Sequence, residues 1–172
     1  AIAGHSGLMR AVRFPRAALP LSTVMSNLMT FGFELSIIAA LALATGEGVS
    51  WRWLALPAIV LVHSVINLGG ALVCARLNDT FRDVQQLIPF VMRLGMYASG
   101  VMFPIRAYAQ DGPAWVRLAI DWNPMVALVD SYRWVFMGIP ITTREVVHVS
   151  VVAVVLLVVG FKFFVAAESK YG

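Results

Sequence analysis

Four long apolar stretches follow one another along the chain, separated by segments richer in proline, glycine and charge. They run over residues 21–44, 53–75, 87–105 and 146–167. A helix needs about 20 mostly apolar residues to cross the hydrocarbon layer of a membrane, because each residue advances it by about 1.5 Å. The pattern therefore predicts an all-α membrane protein with about four transmembrane helices, the last of which opens a final segment, 146–172, that includes a short tail.

The connection over residues 106–145 is too often interrupted by proline and charge to cross the membrane again. We predict two short helices in it, near 113–120 and 124–137, because each begins at a proline, which suits the first helical turn. Asn123 is a favourable N-cap for the second of them. Aromatic side chains stand beside charged ones here, as is typical of the membrane interface. The connection is therefore expected to form a re-entrant or interfacial helical hairpin, and its main aromatic residues are Trp115, Trp122, Tyr132 and Trp134.

Polar side chains recur at helical spacing in three of the four spans, so they are expected to share one face of each helix. In lipid, such a face should contact other helices or a water-filled path, since an exposed polar group is costly there. The residues are Thr23, Asn27, Thr30 and Glu34 in the first span, His63 and Asn67 in the second, and Arg93 and Tyr97 in the third. The fourth span has no comparable face, which predicts a peripheral position for the last helix.

Glu34 and Arg93 are the most costly of these residues to bury in a membrane. They line a polar conduit, or they form a buried ion pair, or the long side chain of Arg93 reaches the interface. His63 likewise either lines the conduit or makes a hydrogen bond between helices. The residues alone leave these alternatives open.

The composition agrees with a membrane location. Of the 172 residues, 60% are hydrophobic and 13% are charged, and the mean hydropathy is +0.82; a soluble domain has about a quarter of its residues charged. Basic residues exceed acidic ones by 13 to 9, but they are scattered without a basic run, so no nucleic-acid partner is expected. The basic residues of the short loops place both ends of this chain, including the C-terminus, on the cytoplasmic side.

Motifs for enzymatic chemistry are absent from the sequence. It contains no GxxxxGK[ST] phosphate loop, no HExxH and no GxSxG, so no catalytic residue is assigned and the chain is predicted to be a transport subunit rather than an enzyme. Asp79 and Asp83, four residues apart, are interpreted as a helix cap and its first turn rather than as a metal site. We expect no metal and no cofactor on this chain.

Three segments carry a resemblance to a known family. They are RAVRFPRAALPLSTVMSNL at residues 10–28, NDTFRDVQQLIPFVMRLGMYASGVMFPI at 78–105 and DWNPMVALVDSYRWVFMG at 121–138. In order and spacing they resemble the permeases of ABC-2-type exporters. The likeness is greatest to permeases that export lipid-linked polysaccharides, such as O-antigen, teichoic acid and galactan.

The resemblance implies a six-span permease of the bacterial cytoplasmic (inner) membrane that works as a homodimer. It also implies two separate nucleotide-binding ATPase subunits, which would carry ATP and Mg. This chain would begin at the loop before the third span, so the first two spans would precede it. Arg93 departs from the family, where an uncharged polar residue is more usual at its position.

By position, the resemblance assigns residues 1–20 to a cytoplasmic coupling segment that docks on the ATPase. Its basic and aromatic side chains suit an acidic and apolar groove, and they are Arg10, Arg13, Phe14, Pro15 and Arg16. A purely topological role, which keeps the loop in the cytoplasm, is the alternative. The 106–145 hairpin would stand at the outer mouth, where its aromatic rings either stack on sugars or anchor the protein in the membrane.

These observations favour the membrane half of an ATP-driven exporter of a lipid-linked cell-envelope polysaccharide, such as the O-antigen of lipopolysaccharide. An ABC-2 exporter of a drug or lipid is the alternative within transport, and its path should be narrower and more apolar. A membrane scaffold subunit without transport is the alternative from another class.

Overall fold

The described part of the chain is helical throughout. A computed structural model describes residues 18–46, 48–81, 83–109 and 112–168. The helices are α1 (Ala18–Ala44), α2 (Leu56–Thr80), α3 (Val84–Ala98), α4 (Ile105–Ala109), α5 (Ala114–Asp121), α6 (Pro124–Met137) and α7 (Thr143–Glu168), and a 3₁₀ segment, Trp51–Ala55, leads into α2. The predicted all-α membrane fold is confirmed.

Within the described residues, three stretches are long and apolar enough to cross a membrane: Leu19–Ala44, Trp51–Thr80 and Thr143–Ala166. They correspond to the predicted first, second and fourth spans. The predicted third span, 87–105, differs from the structure because α3 ends at Ala98 after 15 residues. At about 1.5 Å per residue, that helix covers about 22 Å of an apolar layer about 30 Å thick. Its crossing of the membrane stays a prediction.

A glycine ends α3 early. Gly100 adopts a φ of +71°, the left-handed conformation that commonly follows the end of a helix. Its amide donates to the carbonyl of Tyr97 at 3.4 Å, and a Cβ atom at this position would lie 2.7 Å from Cγ2 of Ile105. The turn is therefore tight enough to bring α4 back against the end of α3. An apolar run by itself does not reveal such a turn.

The two short helices predicted in the 106–145 connection are confirmed as α5 and α6. Asn123 is the N-cap of α6, since its side-chain oxygen accepts a hydrogen bond from the amide of Met125 at 2.9 Å. Its amide nitrogen also donates to the carbonyl of Ala98 at 3.1 Å. One residue thus starts α6 and ties that start to the end of α3. The division of the chain into coupling, membrane and hairpin segments stays a prediction.

The expectation of a peripheral last helix is wrong. α7 packs along α2 more extensively than any other pair of described helices pack together. The most apolar stretch of α7 is 22% buried, against 6% for that of α1, so α1 is the least buried of the three spans. Small residues explain the difference: a Cβ atom on Gly160 would lie 2.6 Å from the carbonyl oxygen of Gly69. Membrane helices associate through such close approaches of backbone and need no polar face for them.

The main core lies where α2, α6 and α7 meet. Its buried side chains are Ile66, Ala127, Leu128, Val149 and Ala153. A second small cluster, Ala109, Ile120 and Val126, joins α4 and α5 to α6. The hairpin is thereby fixed to the α2–α7 pair, while α1 rests on one side of this unit.

The predicted cap at Asp79 is also wrong. Asp79 lies in the last turn of α2, where it accepts a 3.2 Å hydrogen bond from Arg76. The turn between α2 and α3 comes later, and Asp83 is the residue that precedes α3. Among the described residues, no group of three potential metal ligands comes together.

Candidate functional site

A polar pocket of about 260 Å³ opens between α1 and α2. It unites five of the eight residues predicted to line a conduit: Asn27, Thr30 and Glu34 from α1, and His63 and Asn67 from α2. Steps of three and four residues place these side chains on one face of each helix, and the two faces meet. Both helices are membrane spans by length and composition. The pocket therefore places amide, hydroxyl and carboxylate groups at membrane depth.

The other three predicted conduit residues lie outside this pocket. Thr23 precedes it on α1, and its hydroxyl donates to the carbonyl of Leu19 at 3.0 Å. Arg93 and Tyr97 are exposed on α3. Among the ion pairs of the described residues, none joins Glu34 to Arg93. The structure thus does not form the buried pair that was one of the open interpretations.

His63 connects the pocket to the hairpin. Its Nδ1 lies 3.1 Å from the hydroxyl of Tyr132 on α6, so a hydrogen bond between helices is present. Phe31 of α1 meets both rings edge-on, with centroid distances of 5.0 Å to His63 and 5.8 Å to Tyr132. Edge-to-face pairs of this kind stabilise by about 0.5–1.5 kcal/mol each. The cluster joins α1, α2 and α6, and it places Tyr132 beside the pocket rather than at the free edge of the hairpin.

Arg106 is the centre of a network of ion pairs on the hairpin. From α4 it donates to Asp130 of α6 at 3.0 Å, to Asp121 of α5 at 2.6 Å and to Glu145 of α7. Burial lowers the pKa of Arg106, but the hydrogen bond to Asp130 and the charges of Glu145, Asp130 and Asp121 outweigh it, so the pKa is raised overall. One guanidinium therefore links four helices and stays charged at every physiological pH.

Arg133 extends the network towards α3. Its guanidinium donates to Asp130 at 3.3 Å and to the carbonyl of Gly100 at 2.7 Å. The acceptor belongs to the turn that ends α3, so this bond holds the turn against α6. Arg133 stands in the 121–138 segment, one of the three on which the family resemblance rests.

The aromatic residues predicted at the outer mouth take different positions. Trp115 is 71% exposed on α5. Trp122 meets His148 edge-on at 5.3 Å and lies under the guanidinium of Arg144 at 5.6 Å. Trp134 contacts Trp51 at 5.7 Å. These rings thus do not form one patch: Trp115 is free to contact lipid or ligand, whereas Trp134 packs on the segment that leads into α2.

The five residues predicted to dock on an ATPase lie outside the described residues. They are Arg10, Arg13, Phe14, Pro15 and Arg16. The first described helix, α1, begins at Ala18.

Sequence reasoning missed two features of this site. The partners of Arg106 stand up to 39 positions away, so no periodicity links them; the signal was the four arginines and four acids of the 106–145 connection. The close contact of Gly69 with Gly160 was also missed. Its signal was a single glycine within the otherwise bulky apolar run of the last span.

Comparison with known proteins agrees with the geometry. The family model described as ABC-2 type transporter matches residues 7–137. The O-antigen export system permease protein RfbA of Myxococcus xanthus is 30% identical over 172 residues, which cover 99% of this chain and 65% of the relative. The protein of the same name from Klebsiella pneumoniae is 25% identical over 163 residues, or 93% of this chain and 61% of the relative.

The chain thus spans slightly less than two thirds of the length of these curated relatives. No solved structure matches it. The family match covers most of the chain, including the pocket and almost the whole hairpin, and it joins the helical membrane fold to a transport family. The chain belongs to the ABC-2 type transporter family, as a membrane-embedded permease chain.

Proposed function

We propose that this chain is the permease of an ATP-driven exporter that moves a lipid-linked cell-envelope polysaccharide across the bacterial cytoplasmic membrane. The polar pocket between α1 and α2 carries the proposal, and the names of the two relatives support the choice of cargo. Polar groups at membrane depth are costly unless they face protein or water. Hydroxyl, amide and carboxylate groups are also the hydrogen-bonding partners that a hydrated sugar chain needs.

The pocket is one wall of the proposed conduit. α1 leaves most of its surface uncovered in the single chain, and a second copy in a homodimer would supply the opposite wall. Thr23, Arg93 and Tyr97 would then extend the lining towards its two ends. The outer aromatic residues, above all the exposed Trp115, either stack on sugar rings or anchor the hairpin in the interface.

Energy for transport comes from a separate nucleotide-binding subunit in this proposal. That partner would bind ATP and Mg, and residues 10–16 would dock on it from the cytoplasm, where the C-terminus of the permease also lies. α1 follows this segment directly along the chain, so movement of the docked segment acts on the least buried of the three described spans. ATP binding thereby biases the permease between closed and open states.

An affinity pull-down tests the partner. The full-length permease is extracted from crosslinked native membranes, and the proteins bound to it are identified by mass spectrometry. We expect a stoichiometric chain with a phosphate loop, and we expect Arg13→Glu with Arg16→Glu to lower its recovery several-fold. Arg117→Glu, on the outer hairpin, is the matched control and should recover it fully. Recovery of no nucleotide-binding chain would favour the scaffold alternative.

An export assay tests the conduit. Glu34→Gln and Asn67→Leu change the pocket wall, and both should lower the surface polysaccharide while ATPase recruitment stays normal. Ser36→Ala is the matched control, because Ser36 is exposed on α1 and its hydroxyl bonds to its own helix at 2.8 Å. Unchanged polysaccharide together with impaired efflux of a small apolar compound would favour the drug or lipid exporter. Unchanged export in both assays would remove the pocket from the path.

A further inference from the structure

A second cleft lies on the other side of α2, between α2, α6 and α7. Its volume is about 440 Å³, within the range of small-molecule sites in proteins. Ala55, Ala58, Ile59 and Val62 form one wall, and residues of α6 and α7 form the others. Along α2 the cleft extends about 10 Å, which is most of one leaflet of a hydrocarbon core about 30 Å thick.

The interior of this cleft is apolar in effect. Three hydroxyl side chains line it. That of Ser131 donates to the carbonyl of Ala127 at 2.7 Å and that of Ser150 to the carbonyl of Val146 at 2.8 Å, whereas Thr143 is exposed at the start of α7. Both serine protons are used within their own helices, so apart from Thr143 and the indole N–H of Trp134 the walls offer little to a sugar or to water. A hydrocarbon chain is the ligand that such walls fit.

A cation stands at one end of the cleft. Arg52 belongs to the 3₁₀ segment, in which residues three apart eclipse each other, so it lies directly above the lining residue Ala55. Its guanidinium packs on Gly138, where a Cβ atom would lie 2.9 Å from Cζ. Gly138 ends α6 in the left-handed conformation, three residues before the lining residue Ile141.

The guanidinium of Arg52 has unused hydrogen-bonding capacity. Its Nε is buried and has no hydrogen-bond partner, and within the described part of the chain no ion pair involves this residue. Trp51 and Trp53 flank Arg52 in the sequence, and Trp134, which lines the cleft, meets Trp51 edge-on. Tryptophans gather at the depth of lipid headgroups, so Arg52 stands at the level of a phosphate.

We propose that this cleft binds one anionic phospholipid, with an acyl chain between α2, α6 and α7 and its phosphate on Arg52. A planar guanidinium matches the geometry of a phosphate and holds it with parallel hydrogen bonds. The site lies on the face of α2 away from the polar pocket, so it holds a resident lipid rather than the exported cargo. The proposal goes beyond the proposed function and does not depend on it.

Binding of phosphatidylglycerol to the delipidated full-length permease tests the site, measured by native mass spectrometry. We expect Arg52→Gln to weaken binding about tenfold or more, as for loss of a charge-assisted hydrogen bond. Arg117→Gln should leave binding unchanged, because Arg117 lies on α5 of the hairpin, on the same side of the membrane in the predicted topology but outside the cleft. Ala58→Phe fills the cleft at an exposed alanine and should abolish binding, whereas Ala40→Phe, at an exposed alanine of α1, should not.

Three competitors identify the ligand. Diacylglycerol lacks the phosphate and glycerol 3-phosphate lacks the chains, so each should compete poorly. Equal competition by either would overturn the proposal, because it requires both parts of the lipid. Stronger binding of a polyprenyl phosphate would also overturn it and assign the cleft to the cargo carrier. Unchanged binding in both Arg52→Gln and Ala58→Phe would exclude this cleft altogether.

Discussion

The close contact between α2 and α7 makes Gly69 a position where an added methyl group should be damaging. A Cβ atom there would lie 2.8 Å from the carbonyl carbon of Leu156 and 2.8 Å from the amide nitrogen of Leu157. Both are backbone atoms, so no side-chain rotation relieves the clash and the two helices must move apart. Gly70, the next residue of the same helix, has nothing within 4 Å of its Cβ position.

Comparing Gly69→Ala with Gly70→Ala isolates this packing effect. Each substitution replaces a glycine in the interior of the same helix by alanine. The gain in helix propensity, about 1 kcal/mol, is therefore the same in both variants and cancels in the comparison. What remains is the cost of overpacking, typically about 1–3 kcal/mol. Gly69→Ala should therefore unfold several degrees below Gly70→Ala, given about 2–4 °C per kcal/mol for soluble domains of this size.

Thermal unfolding of the two full-length variants in the same detergent provides the measurement. Gly70→Ala should match or exceed the wild type, since it adds a methyl group in open space. Equal melting temperatures for the two variants would refute the reasoning, because the α2–α7 contact would then not depend on a missing side chain at Gly69. A loss in Gly70→Ala alone would place the tight contact on the α1 side of α2 instead.

Three further predictions concern the hairpin, each measured by the same thermal unfolding. Arg106→Gln should lower the free energy of unfolding by about 2 kcal/mol, because partly buried carboxylates lose their cation. Arg117→Gln should stay within about 0.5 kcal/mol of the wild type. Equal losses in the two variants would contradict a stabilising role for the Arg106 network. Tyr132→Phe should lower the free energy of unfolding by about 1 kcal/mol, because one hydrogen bond is lost. In a His63→Phe background the same substitution should cost nothing. If the loss is the same in that background, the bond between His63 and Tyr132 does not contribute to stability. Asn123→Ala should lower the free energy of unfolding by about 1 kcal/mol, because the N-cap of α6 is lost. Asn123→Asp keeps the acceptor for α6 and should therefore lower it by less. The reverse order would assign the effect to the bond with the end of α3.

Local signals in the sequence were sufficient to predict most of the helices. Apolar runs longer than a membrane is thick identify α1, α2 and α7, and prolines with Asn123 identify α5 and α6. Such features act within one helix or at its ends, so a single chain segment contains them completely. The third span was predicted too long because the turn at Gly100 depends on packing against Ile105, which a hydropathy pattern does not reveal.

Contacts between distant segments explain what the sequence did not reveal. The polar faces of α1 and α2 were predicted to line one path, and five of their side chains do meet in one pocket. The polar face of α3 does not join them. Hydropathy alone does not determine which helices pack against one another. α7 was misplaced for a related reason: association through Gly69 and Gly160 leaves no polar pattern, since close backbone contact needs only the absence of side chains.

The pairing of α2 with α7 has a consequence for the order in which the protein is made. α2 leaves the ribosome well before α7, and membrane proteins are inserted from the N-terminus onwards. Until α7 arrives, the groove at Gly69 faces lipid, and Arg106 lacks the carboxylate of Glu145. A nascent chain interrupted before Thr143 would therefore hold an unfinished bundle with an open groove and an underneutralised arginine, features that a membrane chaperone or protease could recognise. Biogenesis of this permease thus depends on its last described helix to complete contacts begun by earlier ones.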